Sequence, residues 1–553
     1  MHEVLREQKR LLIITAVFFV LCYWNIGLSK EPQQDYGDAI ISGSISDART
    51  LIPILASDSA SADVCSMIYN GLVKYDKDIQ LIPDLAQSWQ IQEDGLVIIF
   101  YLRKDVTWHD GKPFTAKDVE FTYKKLLDPD VKTPYSGDFE RVKTFEVLDD
   151  YSIKVTYKEP FAPALSSWGM SIIPKHLLEN ENLNTTPYQR KPIGTGPYKF
   201  KSWKTQEIIE LESNHAYFEK RPFVDRYIYR VIPDEATMFL ELQTKGVDLS
   251  GLTPMQYIRQ TNNDFFKKNF QKFKLPGFNF TYMGYNLKNP KFQDIRVRQA
   301  LNYAVDKEEI IKTILLGLGR VANGPFIPDS WAYDSETKPA LFSPVKAREL
   351  LKEAGWNDAN NDGWLEKNNE IFEFTIITNQ GNDERIKIAQ IIQMKLKDIG
   401  VRVKIKVVEW SVFLTEFIDK RNFEAVLLGW SLSRDPDCFD IWHSSKTKEG
   451  EFNFIGYNNE EVDKLLIEAR RTFDQGKRKT YYNRINQILY QEQPYMFLYV
   501  PDSLPIVSSR FRGIKPAPIG IGYNFIDWWV PKKEQRYTIK NKSPGHNVTM
   551  SPE

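Results

Sequence analysis

From Lys9-Arg10 the chain passes into fourteen nearly all-apolar residues, 11–24, and then into Asn25 and Gly27. A run this short suits the apolar region of a secretory signal better than a spanning helix of about twenty residues. The pattern predicts a signal peptide or membrane anchor over 1–29. Gly27-Leu28-Ser29 offers small residues for cleavage after Ser29, while Cys22, behind the bulky Leu21, is the alternative point of lipid attachment. Each outcome puts the body of the protein outside the cytoplasmic membrane.

Past that segment the rhythm changes twice. Residues 91–96 read as a hairpin turn followed by a strand over 97–102. Thr115 caps a helix with Asp118 in its first turn and Val119, Tyr123 and Leu126 on one face. A second hairpin turns at Asp149-Asp150, between 145–148 and 152–157. This stretch, 72–193, reads as a small antiparallel α+β unit.

From 281 to 500 helical spacing takes over. Asp294 opens a helix that carries Val297, Ala300, Leu301, Ala304 and Val305 on one face. Asp306 with Glu309 makes a capping-box pattern, Gly317 is a natural stop, and Ser343-Pro344 starts a helix that ends at Ala354-Gly355. The most telling run follows: a strand over 372–378, a helix with Ala389, Ile392, Leu396 and Ile399 on one face, a strand over 401–408, a short helix over 411–419 and a strand over 423–428. Short connections between alternating strands and helices imply parallel strands, and ligands bind beyond the carboxyl ends of such strands. The residues there are Asn379, Glu409-Trp410 and Gly429-Trp430, with the loop Ser431-Leu432-Ser433-Arg434-Asp435. Physical reasoning thus nominates Asn379, Trp410 and Trp430 as cleft residues. The polar, aperiodic stretch from Lys532 to Glu553 is expected to be disordered.

A chain of 553 residues exceeds what one hydrophobic core usually serves, so two or three domains are expected. Lys+Arg and Asp+Glu both number 73, which leaves no overall field to attract nucleic acid or anionic lipid. Aromatic residues reach 13%, enough to furnish a binding cleft as well as cores. Beyond residue 29 only Cys65 and Cys438 remain, which read as two separate buried thiols. No His-Glu-x-x-His, Gly-x-Ser-x-Gly, phosphate-binding loop or dinucleotide turn occurs, so neither catalysis nor a cofactor is expected. His109, in the turn 107–111, is expected to be structural. Asp358-Ala-Asn360-Asn-Asp362-Gly363 resembles the first half of a calcium loop. Its twelfth position is Asn369 rather than glutamate, so a plain turn is expected.

Several motifs occur together and in order: Ala86-Gln-Ser-Trp89, Trp108-His-Asp-Gly111, Phe114-Thr-Ala-Lys-Asp118-Val, Gly194-Thr-Gly-Pro197-Tyr-Lys-Phe, Arg296-Val-Arg-Gln-Ala300-Leu-Asn-Tyr-Ala-Val-Asp306-Lys and Lys346-Ala-Arg-Glu-Leu350-Leu-Lys-Glu-Ala-Gly-Trp356. Spread over about 40 to 530, this series resembles the family 5 extracellular solute-binding proteins, the peptide- and nickel-binding receptors of ABC importers. The resemblance implies an α/β, two-lobed periplasmic-binding-protein clamshell of the class II type with an additional small α+β domain. Lobe I would comprise 38–71, 194–280 and 501–533, with the small domain 72–193 attached. Lobe II would be 281–500, hinged near 278–283 and 498–503, and 534–553 would form a disordered tail. The implied protein is a monomeric, non-enzymatic receptor without cofactor that hands a peptide or other small polar solute to an ABC permease.

In peptide receptors of this type a Trp ending the last strand is followed three residues later by an Asp that pairs with the peptide's ammonium. The matching residues are Trp430 and Ser433, so the acid is missing; Asp435 and Asp437 nearby are either site residues or helix caps. Trp410 matches a second Trp that walls side-chain pockets, Arg434 lies in the same loop, and Tyr135 is a candidate from the small domain. The same fold could instead hold a metal chelate or an oligosaccharide, or serve a membrane sensor.

Overall fold

The computed structural model describes residues 34–537. The expected signal or anchor over 1–29, Cys22 and the tail beyond 537 lie outside the described residues. Among those residues no helix is long and apolar enough to cross a membrane.

A seven-stranded mixed sheet has the order 270–272, 505–508, 249–251, 39–44, 226–231, 208–213, 198–204. Its central strand Ala39–Ser44 runs parallel to Arg226–Val231. Ala39, Ile40 and Ile41 are all buried because the sheet is covered on both faces. Ile40 points into a core with Tyr227, Tyr229 and Leu211, and its neighbours into another with Ile228, Met238 and Leu242. Arg510 ties the sheet together from within. It donates to Asp248 at 2.6 and 3.0 Å, to the Ala39 carbonyl at 2.6 Å and to Asp38.

One expectation fails here. Residues 532–537, assigned by their polarity to a disordered tail, are held against this sheet. Glu534 pairs with Arg512, and the backbone N–H groups of Arg536 and Tyr537 donate to Asp38. Asp38 lies nearly 500 positions earlier, so local composition carried no trace of that contact.

A second sheet has six strands in the order 319–321, 495–501, 279–285, 425–431, 373–379, 402–408. The strand Glu373–Asn379 is parallel to both Arg402–Val408 and Ala425–Ser431, as the strand-helix rhythm predicts. The helix Asp383–Lys397 buries Ile388, Ala389, Ile392 and Leu396. Two details differ. The strand expected over 423–428 runs to Ser431, because Asn279–Tyr285 pairs antiparallel with it up to Asn279↔Ser431. The helix expected over 411–419 is one α-turn, Trp410–Val412, running into a π-helical stretch, Phe413–Ile418.

A third sheet, antiparallel, has the order 86–92, 97–102, 152–157, 142–149. The helix Ala116–Leu126 covers it, with a complete capping box between Thr115 and Asp118. Its core residues Ile98, Phe100, Val155 and Trp168 are continuous with one core of the seven-stranded sheet, so this small unit is built onto that sheet. His109 is a brace between the two. Its Nε2 donates to the Gly196 carbonyl at 3.0 Å, and its Nδ1 accepts the Gly194 N–H at 3.2 Å. Burial pushes its pKa down to about 4, which keeps the ring neutral.

The chain passes between the first two sheets at 273–278 and 501–504. There Leu275 and Ser503 exchange backbone hydrogen bonds of 3.0 and 2.9 Å. Residues 279–283, expected near the hinge, already belong to a strand. In the loop 358–363 the Asp358 carboxylate accepts the N–H groups of Asp362 and Gly363, and Asn360 also accepts that of Asp362. The oxygens are occupied by a turn. Cys65 and Cys438 are free and buried.

Candidate functional site

The strands 373–379, 402–408 and 425–431 end at Asn379, Val408 and Ser431, and segments that follow strands of the seven-stranded sheet lie close to what comes after them. A Cβ added to Gly381 would lie 3.1 Å from the Pro233 carbonyl oxygen and 3.5 Å from Ile45. Arg49 pairs with Asp419 at 2.8 Å, and Gln206 donates to Glu409 at 3.3 Å. The carboxyl ends of strands from both sheets therefore meet, as parallel-sheet geometry requires of a ligand cleft.

Trp430, near the end of the strand 425–431, packs among aromatic rings. Its indole N–H donates to the Tyr495 hydroxyl at 3.2 Å, and its ring sits 5.2 Å from Phe452, 5.8 Å from Phe454 and 6.4 Å from Tyr282. Tyr135 reaches the same aromatic cluster from the small domain. Its hydroxyl donates to the Ala56 carbonyl at 2.6 Å, and its ring meets Phe452 edge-on at 5.7 Å. Phe452 thus joins two residues that sequence reasoning proposed separately. Sequence reasoning missed it, although a pair of aromatics in the polar run Glu449-Gly-Glu-Phe452-Asn-Phe454 was the available signal.

Trp410 stacks on Phe413 at 5.9 Å, and its buried indole N–H has no protein acceptor among the described residues. Asn379 is buried and turned inward, its side-chain oxygen accepting from Arg385 at 2.9 Å. It positions Arg385, a cation that the helical pattern alone did not single out.

The 431–435 loop is used differently from the pattern expected of it. Ser433 is exposed, and its hydroxyl donates to the Asp435 carbonyl. Arg434 lies 3.6 Å over the Phe278 ring and donates to the Ile519 carbonyl at 3.3 Å, which ties the loop to the crossing segment. Asp435 accepts two hydrogen bonds from Arg478, at 2.8 and 2.9 Å, and the Asp437 N–H at 2.9 Å. Its carboxylate is already neutralised and caps the following turn. Asp437 is likewise bound to Arg470.

Carboxyls also come together where the two sheets approach. Burial, reinforced by the charges of Glu384 and Asp383, pushes Glu235 up to about 8. Burial pushes Glu384 up to about 7, against Arg385 and Lys387. Among the described residues no group of three or more His, Cys, Asp or Glu side chains is placed to hold a metal ion.

Comparison with known proteins agrees with this geometry. The model of the bacterial extracellular solute-binding proteins, family 5, matches residues 80–451. The oligopeptide-binding protein AppA of Bacillus subtilis is 37% identical over 540 residues, covering 94% of this chain and 98% of that protein. Its structure with a nonapeptide superposes with a TM-score of 0.86 at 36% identity, over 90% of this chain and 100% of AppA. NikZ from Campylobacter jejuni in complex with Ni(L-His) gives 0.81 at 33%, covering 89% and 99%. DppA from Helicobacter pylori with the peptide STSA gives 0.82 at 29%, covering 91% and 100%. The fold is the two-lobed clamshell of the periplasmic binding proteins, and the chain belongs to the bacterial extracellular solute-binding proteins of family 5.

Proposed function

We propose that this protein is an exported receptor that closes on a peptide between two lobes and delivers it to the permease of an ABC importer. The observation that carries this reading is the aromatic wall of Trp430, Phe452 and Tyr135 where the strand ends of the two sheets meet, in a chain 37% identical to an oligopeptide-binding protein. Lobe I comprises 38–71, 194–280 and 501–533 with the small domain 72–193, and lobe II comprises 281–500. Trp410 and Trp430 flank the ligand.

The receptor does not insist on a free peptide amino terminus near the 431–435 loop. A carboxylate–ammonium hydrogen bond in a closed cleft is worth about 1.5–3 kcal/mol, some ten- to a hundredfold in affinity. Ser433 has no charge to supply it, and Asp435 is occupied by Arg478. Calorimetry with one binding nonapeptide, free and N-acetylated, tests this. A loss below about tenfold on acetylation is expected; a loss above about a hundredfold, abolished in Asp435→Asn, contradicts it.

A second reading, a metal chelate as ligand, draws on the 33% identity to NikZ and on the same missing acid. Native mass spectrometry of freshly purified protein separates the two by the mass and isotope pattern of what it carries.

Closure should take up protons. Glu235 and Glu384 are raised from an ordinary 4.5 to about 8 and about 7 in the closed form. Raised acids favour the closed form fully below their ordinary values, and that advantage is lost as pH climbs through the raised ones. Affinity is therefore expected to fall from about pH 5 to about pH 8, by at most about tenfold per unit for each proton taken up. Glu235→Gln should remove part of that slope, and affinity rising with pH across the window would contradict the assignment.

A further inference from the structure

The small domain is built onto lobe I, yet its outer segment 132–140 is gripped by lobe II. Two cations do the gripping, each with only 3% of its side chain exposed. Arg470 lies in the last turn of the helix Glu460–Arg471. Its Nε and Nη2 donate to Asp437 in its own lobe, and its remaining donors cross over, to Asp138 at 2.7 Å and to the Gly137 carbonyl at 3.2 Å. The Arg470 carbonyl accepts the Ala162 N–H from the same domain at 2.6 Å. Lys446 places its ammonium 3.2 Å from both Glu140 and Ser136, with Asp440 and Glu451 of its own lobe at 3.9 and 4.0 Å.

Backbone approach is equally close. A Cβ on Gly137 would lie 2.3 Å from an Asp440 carboxylate oxygen and 3.1 Å from Cε of Lys446. The rim adds Arg471 with Glu159 at 2.7 Å and Lys132 with Glu449 at 3.1 Å.

A buried cation is stable only with its hydrogen bonds filled. Asp437 fills half of the Arg470 guanidinium from within lobe II; Asp138 and the Gly137 carbonyl complete it only when the small domain is docked. We infer that the 132–140 segment is a latch for the closed receptor, with Arg470 and Lys446 as its positioning residues, so that the small domain sets how readily the lobes part. The inference rests on the two-lobed closure proposed above.

Gly137→Ala and Asp138→Asn test it. Gly137 sits in a short helix, Ser136–Phe139, without a positive φ, so alanine suits the local backbone and acts as a wedge only across the interface. Asp138→Asn keeps the shape and leaves the Arg470–Asp437 pair in place. Fluorophores introduced as unnatural amino acids at the exposed positions Lys143 and Lys477 report the distance between small domain and lobe II, while a randomised nonapeptide library is titrated into the full-length protein. Weakening the closed state lowers apparent affinity by the same factor. The midpoint of closure is expected to rise at least tenfold in both variants, with an unchanged distance at saturation. Midpoints within about twofold of wild type in Asp138→Asn, whose fold the substitution leaves intact, would overturn the latch. A wild-type distance that does not change at any library concentration would instead sink the closing reading itself.

Discussion

Replacing Trp430 by alanine is expected to weaken peptide binding by about 2–4 kcal/mol, the range of a buried aromatic anchor, while the protein stays folded. The ring packs with Phe452, Phe454 and Tyr282, and its indole N–H donates to the Tyr495 hydroxyl. Truncation removes the apolar face and leaves that hydroxyl without its donor. Stability should suffer less, because Trp430 is only half-buried and the core beneath it, Phe280, Tyr282 and Phe497, remains packed. Trp410, which among the described residues rests on the Phe413 ring alone, should lose less on truncation. Calorimetry with the nonapeptide library, beside a thermal melt, separates binding from folding. Wild-type affinity in both alanine variants would mean that the ligand lies elsewhere.

The largest effect on stability is expected at Asp248. Its carboxylate is 1% exposed and receives two hydrogen bonds from Arg510, which also holds Asp38. Removing one partner of such a group leaves a buried guanidinium without half of its counter-charge, a cost of about 3–5 kcal/mol. Asp248→Ala should therefore lower the urea midpoint of the seven-stranded sheet's unfolding. Pairing it with Arg510→Met should restore part of the loss, since the orphaned charge goes with it. A single-variant cost below about 1 kcal/mol would mean that water reaches the triad.

These two sites differ in how legible they were. Trp430 could be placed from sequence because period-2 and period-3.6 patterns alternate cleanly from 372 to 430, and strand ends in such units face ligands. Asp435 could not. Whether its carboxylate was free depended on Arg478, 43 positions away on another helix. Nothing local marks Asp248 as buried, because its partner lies 262 positions later. The strand 279–285 is apolar enough to read as buried, but nothing local says that it lies between 425–431 and 495–501, the pairing that carries the 425–431 strand on to Ser431. The helix caps at Asp294, Ser343 and Thr115 formed as their local chemistry dictates. The polar stretch 532–537 did not behave locally, since Asp38 at the other end of the chain holds it.

The central claim is that one ligand is enclosed between two lobes that move toward each other, and small-angle X-ray scattering addresses it most directly. Ligand-stripped protein should show a larger radius of gyration than the same protein saturated with the nonapeptide library, because the proposed opening would part contacts such as Arg49–Asp419, Gln206–Glu409 and Arg470–Asp138. An identical radius in the stripped and saturated samples, with binding verified by calorimetry on the same preparations, would contradict the account.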